Sequence, residues 1–461
     1  MKRNVLFLLM VLAVTLVACG DSPPAIQQEV TVQEQPVNDT TVQEQVEDEA
    51  TYIVFWHSMT GAAGYALDSL AAQFNASQDR FVVQADFQGS YIESLATFHA
   101  VAGSDAAPTL IQVHEIGTLG MIESGHITPV QYFVDRDNYD LSVLNQTVVS
   151  YYTINGILYS APFNSSAPMM FFNRDAFRAA GLDPYMIEPT FEDIEAAAQA
   201  IADANLNGMR GFTMQAWSWQ FEQLMANQGA LFMNNNNGRT DIPTEVGFET
   251  YQIERVLNWI GRMVDDGHFV NLGVTLSDVL LGFLSEDVAI VMASSGVLGQ
   301  FVAAVDFEVG ASFLPHPQDV GRQGIVPGGA SLWIVDGSTD EEKEGAWQFI
   351  QFVQTAESQA YWHVHTGFLA IHEDSINLPI VQEFHEISPQ FVVAAQQLDT
   401  TIPSFATGGA LMDMIPEARG IVTHNIEMVV LNGTAAVEDA VQNIIEGVNQ
   451  AIATSNMARG N

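Results

Sequence analysis

Residues 51–87 read TYIVFWHSMTGAAGYALDSLAAQFNASQDRFVVQADF. The run at 52–56 and the run at 81–87 are rich in β-branched and aromatic residues, which favour strands. Between the two runs, Leu67, Leu70 and Phe74 recur at the spacing of one face of a helix. A strand, a helix and a second strand in this order predict a βαβ unit with parallel strands.

The same alternation continues along the chain. Strand-like runs fall at 109–113, 169–172, 288–292 and 332–335, and helical patterns fall at 92–101, 175–180 and 190–204. Thr190 and Asp193 have the spacing of a capping box, which marks the start of the last of these helices. The residues after position 50 are too many for one hydrophobic core. We therefore predict an α/β protein with two lobes, each built on a parallel sheet.

The first nineteen residues have the features of an export signal. Lys2 and Arg3 precede an apolar run at 5–12, and residues 16–19 read LVAC, a lipobox in front of the single cysteine. The apolar run is too short for a stable spanning helix. Residues 1–19 are therefore predicted to be a lipoprotein signal peptide that ends at the acylated Cys19. The mature protein is expected outside the cytoplasm, anchored by lipid to the cell membrane at the periplasm or cell surface.

Residues 20–50 contain Asp and Glu but no Lys or Arg, and they show no helical or strand periodicity. A segment of this composition does not bury enough apolar surface to fold. It is predicted to be a disordered acidic tether between the lipid anchor and the fold.

The formal net charge of −41 comes from 55 acidic residues against only 14 Lys and Arg. Charged residues make up 15% of the chain, below the average of about 25%, so the unusual feature is a shortage of cations. Such a chain is a poor partner for nucleic acids and for anionic surfaces. An acidic habitat and a saline habitat would each be consistent with this composition.

Two turns could bring backbone N–H groups to an anion. Ser294, Ser295 and Gly296 follow a strand and precede a helix, and Gly328 and Gly329 precede another strand. Each is equally consistent with an ordinary helix cap or turn. Trp217 and Trp219 could form a stacking wall for a sugar or polyol, or one of them could belong to the core.

Motifs of common hydrolases and metal enzymes are missing from the sequence. It contains no G-x-S-x-G, H-E-x-x-H or C-x-x-C, and His363 and His365 form the only close histidine pair. We expect no metal, no cofactor and no catalytic residue. Carboxylate pairs of glycosidases can be distant in sequence, so an exported hydrolase is kept as the less favoured alternative.

Five motifs occur in an order that is similar to that of a known family. They are FWHSM at 55–59, QVHEIG at 112–117, PFNSS at 162–166, ASSG at 293–296 and GGASLW at 328–333. The chain resembles the family 1 extracellular solute-binding proteins of carbohydrate ABC importers. The resemblance implies a monomer with the type II periplasmic-binding-protein fold and a ligand cleft between its two lobes. The lobe boundaries that we predict are 51–160 plus 325–372 for lobe 1, and 161–324 plus 373–461 for lobe 2.

The resemblance also implies a function. It implies a binding protein, not an enzyme, that captures glycerol 3-phosphate or a related glycerophosphodiester and delivers it to the transmembrane subunits of an ABC permease. A neutral oligosaccharide is the alternative ligand. In this reading Tyr91 and Glu115 hold the glycerol hydroxyls.

The resemblance assigns the phosphate to Ser166, Ser294, the backbone N–H of Gly329 and Arg419, with Trp217 as a wall of the site. One position departs from the pattern of the glycerol 3-phosphate binders, which have a tyrosine where this chain has Phe368. The substitution removes one hydroxyl donor and leaves the identity of the ligand open between a phosphoester and a sugar.

Overall fold

The computed structural model describes residues 50–273, 275–430 and 436–460. The predicted signal peptide, Cys19 and the predicted tether up to residue 49 lie outside the described residues. Within the described ranges, no helix combines the length and the apolar character needed to cross a membrane.

Most strands alternate with helices along the chain, as the sequence predicts. The strands are β1 (Thr51–His57), β2 (Phe81–Phe87), β3 (Leu110–His114), β4 (Ile127–Thr128), β5 (Thr153–Ile154), β6 (Ile157–Leu158), β7 (Ala161–Ser166), β8 (Pro168–Asn173), β9 (Arg210–Met214), β10 (Val288–Ser294), β11 (Val309–Ser312) and β12 (Gly328–Val335).

The helices before β10 are α1 (Gly61–Ser77), α2 (Tyr91–Val101), α3 (Thr118–Ser124), α4 (Val130–Asp137), α5 (Gln146–Tyr152), α6 (Arg174–Ala179), α7 (Phe191–Ala204), α8 (Ser218–Asn227), α9 (Asn234–Asn237), α10 (Thr250–Asp265) and α11 (Leu276–Leu284). Those after β10 are α12 (Leu298–Ala304), α13 (Asp340–Val353), α14 (Ala356–Thr366), α15 (Pro379–Ile387), α16 (Val392–Asp399), α17 (Ile415–Val430) and α18 (Val437–Ala458).

The predicted βαβ unit at 51–87 is confirmed. β1 and β2 pair in parallel, with Thr51 opposite Phe81 and His57 opposite Phe87, and β3 joins the other side of β1 in parallel. The first sheet has the order β2-β1-β3-β12-β4, and β7 also pairs with β12. β12 runs antiparallel to β3, β4 and β7, so the prediction of a wholly parallel sheet is wrong.

The second sheet is also mixed. Its order is β11-β8-β10-β9, in which β10 is parallel to β9 but antiparallel to β8. β8 and β11 are antiparallel as well. The parallel prediction fails here because both strands that pair with β8 come from more than a hundred residues later in the chain.

Aromatic side chains fill the space between each sheet and its helices. On one face of the first sheet, Phe55 of β1 and Phe74 of α1 pack against Phe349 of α13, with ring centroids 5.7 and 5.3 Å away. Beside the second sheet, Trp259 of α10 stacks on Phe191 at 4.4 Å and donates a hydrogen bond to its carbonyl. The capping box predicted at Thr190 and Asp193 is present at the start of α7.

The chain passes from the first sheet to the second at Ala167, between β7 and β8. We propose that the two sheets mark the two lobes and that this crossing falls at Ala167 rather than at residue 161, because β7 is a strand of the first sheet. The remaining lobe boundaries stay a proposal. The helices α8, α10, α17 and α18 pack on one another, and this packing brings the C-terminal part of the chain to the site.

Candidate functional site

The crossing segment at Ala167 is fixed from both sides. Its N–H donates to the Oγ of Ser295 at 3.1 Å, and its carbonyl accepts from the N–H of Ser295 at 2.8 Å. The neighbouring Ser166 pairs with Gly328 at the start of β12, and the N–H of Leu369 donates to the carbonyl of Ser165 at 2.8 Å. Four segments that are far apart in sequence therefore meet at the crossing segment, which is buried.

Gly329 of β12 packs so closely against β7 that a side chain would not fit. Its φ is +104°, and a Cβ built on it would lie 2.0 Å from the carbonyl oxygen of Asn164. No other residue fits at this position without moving the crossing segment. The glycine is therefore explained by close packing of β12 on β7, whether or not its N–H also meets a ligand.

Arg419 lies at the centre of a buried charge cluster. Its Nε donates to Oε1 of Glu222 at 2.8 Å, and its Nη2 donates to Oε2 of Glu222 at 2.8 Å and to Oε1 of Glu115 at 3.1 Å. The side chains of Arg419 and Glu115 are only 7% and 8% exposed. Arg419 is therefore a buried cation between two acids and not a member of a surface ion pair.

Burial decides the electrostatics of this cluster. It raises the pKa of the Glu115 carboxyl above its usual range, although Arg419 opposes the shift. Burial by itself would lower the pKa of Arg419, but the charges and hydrogen bonds of Glu222 and Glu115 outweigh it and raise the pKa. Arg419 thus remains a guanidinium, and an anion that enters must share it with two carboxylates.

Tyr91, the first residue of α2, belongs to a hydrogen-bonded row beside this cluster. Its hydroxyl accepts from Nδ2 of Asn164 at 3.0 Å, and Oδ1 of Asn164 accepts from Nε2 of Gln112 at 2.8 Å. The ring of Tyr91 stacks on that of His114, with centroids 5.4 Å apart and planes 14° from parallel. Burial raises the pKa of Tyr91, so the hydroxyl stays protonated and can donate to a ligand.

His114 is buried, and neither of its ring nitrogens has a hydrogen-bond partner in the described part of the chain. Burial, together with the charge of Arg419, lowers its pKa to about 3. The imidazole is therefore neutral at ordinary pH. Since its ring stacks on Tyr91 and it directly precedes Glu115 in the chain, it is a polar group that a rearranged or liganded site could use.

The two tryptophans differ in position. Trp219 is 5% exposed, and its ring contacts the start of β12: a Cβ on Gly328 would lie 3.0 Å from it. Trp217 is less buried and lies before α8, with its ring 5.8 Å from the guanidinium carbon of Arg419 and 5.6 Å from the ring of Trp219. The two tryptophans therefore connect the Arg419 cluster to Gly328, which pairs with Ser166.

Ser294 and Phe368 meet at the other side of the crossing. The Oγ of Ser294 accepts from the N–H of Gly296 at 3.3 Å, so this serine does act as a cap. The ring of Phe368 lies against Gly296, where an added Cβ would be 2.9 Å from Cζ, and it stacks on Trp362 at 5.5 Å. The Nδ1 of His363 donates to the carbonyl of Phe368, and its Nε2 lies 2.8 Å from Nε2 of His385.

The described contacts bring several of the predicted site residues together but do not join all of them directly. Arg419 and Glu115 are hydrogen bonded, Trp217 lies beside Arg419, and Ser166 and Gly329 flank the crossing segment. A small cavity of about 20 Å³ beside Glu115, Glu222 and Arg419 has room for one or two water molecules.

Sequence reasoning missed Glu222, Asn164 and His114. Glu222 was one acid among 55, and its position three residues after Trp219 on a helix carried no distinctive signal. Asn164 and His114 both lie inside motifs that the sequence singles out, PFNSS and QVHEIG, so only their roles were missed. The expected site on the described chain is thus extended by one acid and two polar groups.

The model of the family of bacterial extracellular solute-binding proteins matches residues 69–387. The sn-glycerol-3-phosphate-binding periplasmic protein UgpB of Yersinia pestis bv. Antiqua is 34% identical over 385 residues, which cover 82% of this chain and 87% of that protein. The UgpB of Escherichia coli O1:K1 is 32% identical over 411 residues, which cover 87% of this chain and 92% of that protein.

Solved structures share the architecture. UgpB from Mycobacterium tuberculosis in complex with glycerophosphocholine superposes with a TM-score of 0.76 at 21% identity, over 88% of this chain and 100% of that one. The sugar-binding protein MalE from Xanthomonas citri gives a TM-score of 0.70 at 18% identity, over 89% of this chain and 100% of that one. The fold is therefore the two-lobed α/β fold of periplasmic binding proteins, and the chain belongs to the bacterial extracellular solute-binding proteins.

Proposed function

We propose that this protein captures glycerol 3-phosphate, or a glycerophosphodiester that contains it, and delivers it to an ABC permease. The names of its relatives support this ligand class, since proteins more than 30% identical over most of the chain bind sn-glycerol 3-phosphate. Binding without chemical turnover is part of the proposal. A monomer is the expected form, with the transmembrane subunits of the permease as its partner.

The observation that carries the proposal is the buried Arg419 next to Glu115. A guanidinium offers paired N–H donors that suit a phosphate, and a carboxylate offers two acceptors that suit neighbouring hydroxyls. Glycerol 3-phosphate has both groups at opposite ends of a three-carbon chain. Tyr91 and Ser166 each add a hydroxyl group that can form a hydrogen bond with either end of the ligand.

A ligand of this size needs more space than the cavity of about 20 Å³ beside Arg419. Hinge motion of two lobes is the usual way in which periplasmic binding proteins admit a ligand. We infer that the lobes separate, that the phosphate then replaces part of the contact between Arg419 and its acids, and that closure buries the solute.

A neutral oligosaccharide is the second candidate, and a specific observation favours it. Both Glu222 and Glu115 already bond Arg419, so the cluster does not carry an unbalanced positive charge. Trp217, Trp219 and Phe368 supply aromatic faces of the kind on which sugar rings stack. An exported hydrolase is the weaker alternative.

The proposed location rests on the N-terminal sequence. We propose that Cys19 is acylated and that the residues up to position 50 tether the fold to the outer face of the cell membrane.

Calorimetry of the protein from residue 50 onward tests the function. The titrants are glycerol 3-phosphate, glycerophosphocholine, maltose and glycerol at one ionic strength. Saturable binding of a glycerophosphate, with the ligand recovered unchanged, is the expected result. Binding of maltose alone would show that the ligand is a neutral sugar. Release of a hydrolysed product would show that the protein is a hydrolase.

A further inference from the structure

A second arginine, Arg239, lies in a tightly fixed turn. Asn235, Asn236, Asn237 and Gly238 all have positive φ, between +52° and +71°, immediately before it. Oδ1 of Asn237 accepts from two backbone N–H groups at 2.7 and 2.9 Å, and its Nδ2 donates to the carbonyl of Phe405 at 2.7 Å. The backbone that carries Arg239 is therefore positioned by a buried side chain.

Arg239 has no carboxylate to balance its charge within the described ranges. Its Nε donates to the carbonyl of Gly409 at 2.8 Å, and its guanidinium carbon lies 4.9 Å above the ring of Tyr151. Its Nη2 is buried and has no hydrogen-bond partner among the described residues. In contrast, the guanidinium of Arg419 is bonded by two acids.

Arg239 lines a cavity of about 390 Å³ whose wall, among the described residues, contains no acidic side chain. The other polar groups of its wall include the hydroxyls of Thr147, Ser150, Ser404 and Thr407. In a chain with 55 acids, a cavity lined by an arginine and hydroxyls but no carboxylate has the composition of an anion site.

The cavity is next to the proposed ligand site. Tyr151 lines both the cavity of Arg239 and the small cavity beside Glu115 and Arg419. The charges of Glu115, Arg239 and Arg419 all act on the phenol of Tyr151. Tyr151 is thus shared by the walls of two cavities, one lined by Arg419 and the other by Arg239.

An oxyanion that enters the cavity would give the charge of Arg239 a partner through a charge-assisted bond. We propose that Arg239 forms a second oxyanion subsite, which takes a second phosphate group of the solute held at Arg419. This inference rests on the proposed function. The solute class is a glycerophosphodiester with two phosphates, for which bis(glycerophospho)glycerol is the model compound and glycerophosphoglycerol is the matched compound with one phosphate.

The test compares the wild-type protein with Arg239→Gln, which keeps an amide donor but removes the charge. Arg210→Gln is the matched control, because Arg210 is exposed and the net charge changes equally. Affinities for the two solutes are measured by calorimetry at fixed ionic strength. We expect Arg239→Gln to weaken bis(glycerophospho)glycerol about tenfold or more and to change glycerophosphoglycerol less than about threefold.

Equal changes for both solutes, or no change for either, would overturn the subsite. A separate arm uses sulfate as a free oxyanion and the melting temperature as readout. If the wild-type protein binds neither of these solutes nor glycerol 3-phosphate, the proposed function fails, and this arm then decides on the subsite by itself. Stabilisation by sulfate of the wild type and of Arg210→Gln, but not of Arg239→Gln, supports it, and equal stabilisation of all three overturns it.

Discussion

The guanidinium of Arg419 on α17 makes a two-point contact with the carboxylate of Glu222 on α8, in which Nε and Nη2 each donate over 2.8 Å. Planar contacts of this kind are among the stronger ion pairs of proteins. The contact joins parts of the chain nearly two hundred residues apart and orients the arginine in the site. Any anion that binds to Arg419 must therefore compete with the Glu222 carboxylate for the guanidinium.

Glu222→Gln should therefore shift the protein towards anions. Removing this charge takes away a repulsion that acts on a phosphate but not on a sugar. We expect the affinity for glycerol 3-phosphate, relative to that for maltose or glycerol, to rise about tenfold. The affinities are measured by calorimetry. Glu123→Gln is the control for net charge, because Glu123 forms a more exposed ion pair with Arg459. An unchanged ratio would mean that no anion binds next to Glu222.

His114 should make the fold sensitive to acid. Its pKa in the folded state is about 3, below the usual 6.5, so the folded protein resists its protonation. The stabilisation from the neutral ring is complete above pH 6.5 and is lost as the pH falls towards 3.

His114→Phe keeps the stacking on Tyr91 and removes the titration. The fall in melting temperature between about pH 7 and about pH 4 should be smaller in this variant than in the wild type. His365→Phe is the control, because His365 is exposed and also stacks on a tyrosine, Tyr361. The same fall in all three proteins would show that His114 is not the acid-sensitive group.

Phe368→Tyr should restore a donor near the Ser294 turn. The ring edge at Cζ faces Gly296, so a hydroxyl there would lie beside the turn assigned to the phosphate. We expect tighter binding of glycerol 3-phosphate by about 1.5 to 3 kcal/mol, the range for hydrogen bonds to charged groups, with little change for a neutral sugar. Phe368→Leu, which adds no hydroxyl, should not tighten it. Tighter binding of both ligand classes would point to packing instead.

Cys19→Ala should release the protein from the membrane without changing its ligand affinity. The predicted tether separates the acyl chains from the fold, so the site has no contact with the anchor. Fractionation of cells and calorimetry of the released protein measure the two effects. A variant that stays in the membrane fraction would show that another feature anchors the chain.

Local patterns of the sequence predicted the elements that depend on neighbouring residues. The βαβ unit at 51–87 and the capping box at Thr190 follow from spacing and composition within short windows. The direction of β12 did not follow, because its partners β3 and β7 lie far upstream and nothing local distinguishes parallel from antiparallel pairing.

The same division holds for the site. Arg419 was recognisable because cations are rare in this chain, and Glu115 was recognisable from its motif. The positions of Glu222 and of Arg239, which has no carboxylate partner among the described residues, depend on contacts between distant segments. A short window of sequence therefore does not reveal their roles. The pairing of Arg419 with Glu222 could be known only from the packing of α17 on α8.

The central claim is that Arg419 binds the phosphate of the solute. Removing Arg419 alone would leave two buried carboxylates without their cation, which typically costs about 3 to 5 kcal/mol of stability. The direct measurement therefore compares Glu222→Gln with Glu222→Gln plus Arg419→Gln, titrated with glycerol 3-phosphate and with the neutral solute that binds best. Loss of Arg419 should weaken glycerol 3-phosphate about thirtyfold or more and the neutral solute less than about threefold. Equal and small effects on both ligands would contradict the account.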